Sequence, residues 1–333
     1  MSWKALWPVI VFAASQHVFA QTPSPTLVRK SERTEMFRSA ENPFEPVWSG
    51  YALIGVRMNR TSRPTIWASS ASGGIEDVQF TIPNAGQILV RGVAASLDHT
   101  ILIAGTAIGG DSQGSGFIGI IPPDRSKKLI VRTTPYTAMA ITVAPDGVIW
   151  TVGWDKEDGK RVFNVLKRFN PSGTLLSSIH LTVRPIPGAS ISDVAYASAL
   201  RCSGDRVGWL TGASQYLEFS LDGREIGRFE PPPWHAEKPV GSVLHVLLNL
   251  ALSENNEVVV AGLGPISSVW RLNRDARQWI PIDVSGEHLD RLAWLLGFDG
   301  NELIVDTKTS NRGEVVARFA ISAGGCPRGA CAF

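Results

Sequence analysis

One unit recurs six times along the chain: an apolar strand, a polar turn, a second strand ending in a small residue, a loop, then two further strands. It is clearest between Met139 and Leu176. Met139–Val143 leads into the turn Ala144-Pro145-Asp146-Gly147, and Val148–Gly153 (VIWTVG) follows. A charged loop then precedes Val165–Phe169 (VLKRF), the turn Asn170-Pro171-Ser172-Gly173, and a fourth strand opening at Thr174. The second strands read as Thr65–Ser69, Ile101–Gly105, Val148–Gly153, Gly208–Gly212, Val258–Gly262 and Leu303–Thr307. Third strands with their turns read as Val78–Gly86, Phe117–Asp124, Val165–Gly173, Tyr216–Gly223, Val269–Asp275 and Val316–Ser322. Ends of the second strands at 69, 105, 153, 212, 262 and 307 give spacings of 36, 48, 59, 50 and 45 residues. That is the period of propeller blades.

These segments are short, rich in β-branched and aromatic residues, and bounded by Pro, Gly, Asn and Asp, as strands joined by tight turns require. A helical pattern over Glu287–Leu296 falls where the other copies begin an inner strand, so register overrules it. Runs such as Val258-Val259-Val260 are apolar on successive residues, which calls for cover on both faces, as a blade between two neighbours has. The reading is an all-β, six-bladed β-propeller of four-stranded antiparallel blades around a central channel, spanning 49–322. Seven blades or paired β-sandwiches are the other architectures open to such a repeat. The sixth copy stops after its third strand, and Thr26-Leu27-Val28-Arg29 has the character to supply the fourth and close the ring.

Pro145–Gly153 (PDGVIWTVG) paired with Arg168–Gly173 (RFNPSG) resembles repeats of the NHL type and their relatives among six-bladed propellers. The resemblance runs over residues 49–322 and is strongest in the third copy. It implies the fold and leaves activity open, since that superfamily holds lactonases, lyases, ligand binders and scaffolds.

Residues 1–20 read as a signal peptide: Lys4, an apolar run over Ala5–Ser15, and a small-residue cleavage site at Val18-Phe19-Ala20. The run is too short for a permanent span and no other stretch approaches about 20 apolar residues, so a secreted or periplasmic location without a membrane span is expected. Residues 21–48 read as an N-terminal extension and 323–333 as a C-terminal tail. One lysine falls in residues 1–20, leaving 31 basic side chains against 30 acidic ones. Such a balance offers no general attraction to nucleic acid. Arg125, Lys127 and Lys128 read as decoration of a solvated loop. Cys326 and Cys331 in CPRGAC are a disulfide candidate in an oxidising compartment, and Cys202 is expected as a buried free thiol.

In a propeller, connections from one blade's outer strand to the next blade's inner strand gather at the channel, and ligand sites favour concave mouths. The residues entering the inner strands are Tyr51, Arg91, Tyr136 with Thr137, Asp193, His245, and Asp290 near His288. With Trp234 of the proline-stiffened segment 230–245, they form the candidate ligand-binding rim. Asp193, His245 and Asp290 suit ligand binding or acid–base work; equally, Asp and His cap strands and bond loop backbone. Asn249, polar within the apolar Val246–Leu252, faces channel water or satisfies a buried backbone group.

The first expectation is a binding or scaffold module for a protein or small molecule, without a cofactor. The propeller resemblance implies a second: a lactonase-like hydrolase holding Ca²⁺ or another divalent ion through Asp193, Asn249 and Asp290, whose oxygens suit such ions. Those relatives also use a first-blade glutamate, and Glu76 matches no recognisable version of it. Asp155–Gly159 lacks the alternating ligands of an EF-hand and reads as a hairpin tip. Gly109–Gly116 joins two strands and opens no helix, which argues against a phosphate cradle. No HExxH stretch occurs, and Gly110-Asp111-Ser112-Gln113-Gly114 fits G-x-S-x-G in letters only, since it joins two strands and opens no helix, as a nucleophile elbow requires. Residues 33–48, with Phe37, Phe44 and Trp48, could wrap the propeller or meet a partner.

Overall fold

The computed structural model describes residues 24–35, 46–57, 59–70, 74–110, 113–182, 199–233, 247–263, 268–284, 294–307 and 314–322. Among them no α-helix occurs, and none is long and apolar enough to cross a membrane. The strands form six four-stranded antiparallel sheets. The chain's first strand, β1 (Thr26–Glu35), belongs to the last of them.

The first blade is β2 (Val47–Trp48), β3 (Ala52–Arg57), β4 (Thr65–Ser70) and β5 (Ile75–Gln79). The second is β6 (Gln87–Ala95), β7 (Ile101–Ile108), β8 (Gly114–Ile121) and β9 (Leu129–Arg132). The third is β10 (Thr137–Val143), β11 (Ile149–Glu157), β12 (Lys160–Phe169) and β13 (Leu175–His180). The fourth is β14 (Ala199–Ser203), β15 (Arg206–Leu210), β16 (Tyr216–Ser220) and β17 (Glu225–Phe229). The fifth is β18 (Leu247–Leu252), β19 (Val258–Leu263), β20 (Ser268–Asn273) and β21 (Gln278–Pro281). The sixth, in spatial order, is β22 (Trp294–Asp299), β23 (Glu302–Asp306), β24 (Glu314–Ser322) and β1. β1 runs antiparallel to β24 from Thr26↔Ser322 to Glu35↔Glu314, so the two ends of the propeller meet in one sheet.

The core is divided among the blade interfaces. Val258 and Val260 pack toward the fourth blade with Leu210 and Tyr216, while Val259 and Ala261 pack toward the sixth with Leu303 and Phe319. Alternation along a strand thus covers both faces of a sheet, as the continuous apolar run requires. Blades one and two share Ile54, Phe80, Ile88 and Phe117; blades three and four share Trp150, Trp209 and Phe219. The ring closes on Trp48, Leu53 and Trp67 against Leu296, Ile304 and Val316. Each such side chain, fully buried, is worth about 1.5–3 kcal/mol. This arrangement is a six-bladed β-propeller.

The first copy differs from its sequence reading by one strand. Thr65–Ser69 lies in the third strand and Val78 in the fourth, because Val47-Trp48 already forms the inner strand. The inner strand is only two residues long, so the apolar run Ala52–Val56 behind it gave the stronger signal. Gly50, at φ +90°, turns the chain between them.

Polar contacts bind neighbouring blades at their outer edges. Arg125 grips Glu76 of the first blade with two bonds, Nε–Oε1 at 2.6 Å and Nη2–Oε2 at 2.9 Å. It also donates to the carbonyls of His99 and Pro122. Lys128 donates to the Gln79 carbonyl. Arg125 and Lys128 are therefore inter-blade contacts rather than loop decoration, and Glu76 serves on an outer strand.

Candidate mouth of the central channel

The inner strands β6, β10, β14, β18 and β22 contact one another in order, with β2 and β3 completing the circuit. Each inner strand turns back into its second strand at one face of the ring. Those turns are Ser49-Gly50, Ser96–Thr100, Ala144–Val148, Ser203–Arg206, Ser253–Glu257 and Asp299–Glu302. His99, Gly147, Gly204, Asn256 and Gly300 supply a left-handed residue to five of them. Side-chain oxygens fix the turns: the Asp98 carboxylate accepts from Thr100 N–H at 3.0 Å and the Asp146 carboxylate from Val148 N–H at 3.0 Å. Ser253 Oγ accepts from Glu257 N–H at 3.0 Å.

Together the turns frame a cavity of about 640 Å³ lined by residues of all six blades. Trp48, Ala94, Ile141, Leu252 and Phe298 give it apolar walls. Asp98, Asp146, Glu254 and Asp299 stand among its lining residues. Asp299 is held by Arg318. Hydrogen bonds from Ser96 and the Thr100 backbone lower the pKa of Asp98.

Among the described residues one cation, Arg201, lines the cavity. Arg201 lies on inner strand β14 opposite Gly208 of β15. Its Nη1 donates to the Leu200 carbonyl at 2.9 Å, and its buried Nε has no acceptor. No carboxylate pairs with it among the described residues. Burial alone pushes its pKa down to about 10. Next to it Cys202 is half-buried, and burial, reinforced by Asp146 and Asp205, pushes its thiol up to about 12.

The rim read from the sequence belongs to the opposite face, where outer strands cross to the next inner strand, and three of its residues, Tyr51, Arg91 and Tyr136, are among the described ones. Tyr136 precedes β10 there but is fully buried. Its hydroxyl donates to Thr151 Oγ1 at 2.9 Å, Lys167 lies 4.5 Å from its ring, and burial raises its pKa strongly. Arg91 lies midway along β6, at the bulge between Val90 and Gly92. Tyr51 follows β2 instead of preceding an inner strand, so it stands at the turn face with its ring 4.1 Å from that of His99. Burial first, then Asp98 and Glu76, raise its pKa, against lowering by Arg125. Asp193, Trp234, His245, Asp290, Cys326 and Cys331 lie outside the described residues.

Asn249 is 1% exposed on β18, with Oδ1 accepting from Leu250 N–H at 2.8 Å and Nδ2 without a partner. Of the three residues suggested for a divalent ion it alone is described, and its oxygen is already engaged by backbone. Asp155 is tied to Lys167 at 2.6 Å beside the Asp158-Gly159 turn, a hairpin tip.

No family model and no curated protein matches the sequence. Among solved structures, a protein of Bacteroides fragilis is 9% identical, covering 90% of this chain and 96% of its own, with a TM-score of 0.53. The U3-55K protein is 12% identical over 82% of this chain and 79% of its own, with a TM-score of 0.49. The WD40 repeats of RRP9 give 11% identity, the same coverages and the same TM-score. At such identities the likeness is one of fold.

Proposed function

We propose that this chain is an exported binding protein that takes a small ligand, or the tip of a protein partner, at the turn-face mouth of its channel. The cavity carries this reading. At about 640 Å³ it falls within the range of ligand pockets, and every blade contributes to its wall. Apolar walls with a few placed polar groups are the usual composition of such sites. Export rests on the amino-terminal sequence pattern.

The test is a thermal-shift screen of a fragment library against the protein and against Ser203→Trp, which places an indole in the mouth. Fragments that stabilise the parent and not the variant support the reading. Fragments that stabilise both equally bind elsewhere and refute it.

A further inference from the structure

Building on the mouth as a binding site, we propose that its ligand is an amino-acid-like zwitterion, with its carboxylate on Arg201 and its cationic group among the rim carboxylates. A desolvated guanidinium without a counter-ion is costly, and the missing partner is an anion. Planar, forked donors match a carboxylate with two parallel bonds. Arg201, half-buried in the lining, spends one donor on the Leu200 carbonyl, and no carboxylate pairs with its guanidinium among the described residues. Ser253, also in the lining, accepts a backbone N–H through its Oγ, which leaves its own hydroxyl proton to donate.

The rim sets the rest of the ligand. Asp98, Asp146 and Glu254 surround the same cavity without a cationic partner among the described residues, whereas Asp299 has Arg318. Among the described lining residues, one inner cation against three carboxylates without a cationic partner disfavours polyanions such as citrate or phosphate chains, through like-charge repulsion in a confined mouth. The same distribution favours a ligand carrying opposite charges at its two ends. Ala94, Ile141 and Leu252 between them suit a short aliphatic body.

The experiment titrates 6-aminohexanoate, hexanoate, hexylamine and citrate into the full chain by calorimetry, using the parent protein, Arg201→Gln, Arg201→Lys and Ser203→Trp. The expected result is saturable binding of 6-aminohexanoate, weaker binding of hexanoate, and none of hexylamine or citrate. Affinity should fall at least tenfold in Arg201→Gln and less in Arg201→Lys. Near-ultraviolet circular dichroism establishes that each variant keeps its packing. Absence of 6-aminohexanoate binding to the parent, or hexylamine binding as tightly, overturns the proposal. Binding that Ser203→Trp abolishes but Arg201→Gln leaves unchanged overturns the carboxylate anchor and leaves the mouth as the site. Binding that neither variant alters overturns both.

Discussion

The Glu218 carboxylate, 1% exposed in the fourth blade, is held by the guanidinium of Arg274 from the fifth, Nη2 lying 2.6 Å from Oε1 and Nη1 engaging Oε2. Tyr216 donates to the same carboxylate at 2.8 Å, and Arg274 also binds the Asn256 carbonyl at 2.9 Å. The pair therefore ties the outer part of one blade to an inner-hairpin turn of the next. Without Arg274 the buried Glu218 keeps only the longer contact to Arg206, Nη1–Oε2 at 3.4 Å, so the cost approaches the about 3–5 kcal/mol of an uncompensated buried charge. Arg274→Ala should lower stability by that amount in urea unfolding. Glu218→Gln combined with Arg274→Met should cost less than the sum of the two single changes.

Ring closure by β1 makes a second quantity measurable. Leu27, 5% exposed, packs with Ala317 and Phe319 of the closing blade. Leu27→Ala should cost about 2–4 kcal/mol. Removing residues 21–35 should lower the thermal midpoint by more than about 10 °C. An unchanged midpoint would show that closure contributes no stability.

Glycines opposite the inner-strand bulges should tolerate no side chain. A Cβ at Gly105 would lie 2.1 Å from the Leu89 carbonyl oxygen, and one at Gly153 2.0 Å from that of Thr137. Both glycines pair beside a register shift, at Val90 and Ala138. Backbone oxygens cannot swing aside, so Gly105→Ala and Gly153→Ala should each cost about 1–3 kcal/mol or more. Gly159→Ala has open space but a φ of +79°, so only its backbone strain should count, about 1 kcal/mol.

Arg201 should be a stability cost in the ligand-free protein. Arg201→Met is expected to raise unfolding stability by about 1 kcal/mol, since an apolar side chain replaces a half-buried charge that has no carboxylate partner among the described residues. Its pKa falls from 12.5 to about 10 on folding, so between those values the unfolded chain binds more protons. The parent's stability relative to Arg201→Met should then rise with pH through that window and stay flat below it.

Cys202 should behave as an unreactive thiol despite lining the mouth. With its pKa pushed up to about 12, little thiolate exists at pH 8. Labelling by iodoacetamide in Cys326→Ser/Cys331→Ser protein should be much slower when folded than in urea. Equal rates would contradict its burial.

The repeat made the blade count and sheet type legible, because hairpin turns and β-branched strands leave a periodic trace. Small residues ending the second strands were visible as a pattern; at Gly105 and Gly153 their cause, a bulge facing each, emerged only from the pairing. The first blade was read one strand out, since a two-residue inner strand leaves no periodicity. That slip carried Tyr51 to the wrong face. The mouth itself was missed because Asp98 and Asp146 look like ordinary turn residues, and only ring geometry gathers six turns. Arg201 did leave a signal: a lone cation between Leu200 and Cys202, at the start of an inner hairpin.

A crystal structure of the protein grown with 6-aminohexanoate would show whether the mouth holds a zwitterion. Ligand density is expected inside the ring of six turns, its carboxylate on the Arg201 guanidinium and its ammonium toward Asp98, Asp146 or Glu254. Density confined to the crossover face near Tyr136, or a mouth filled only by water at saturating ligand, would contradict it.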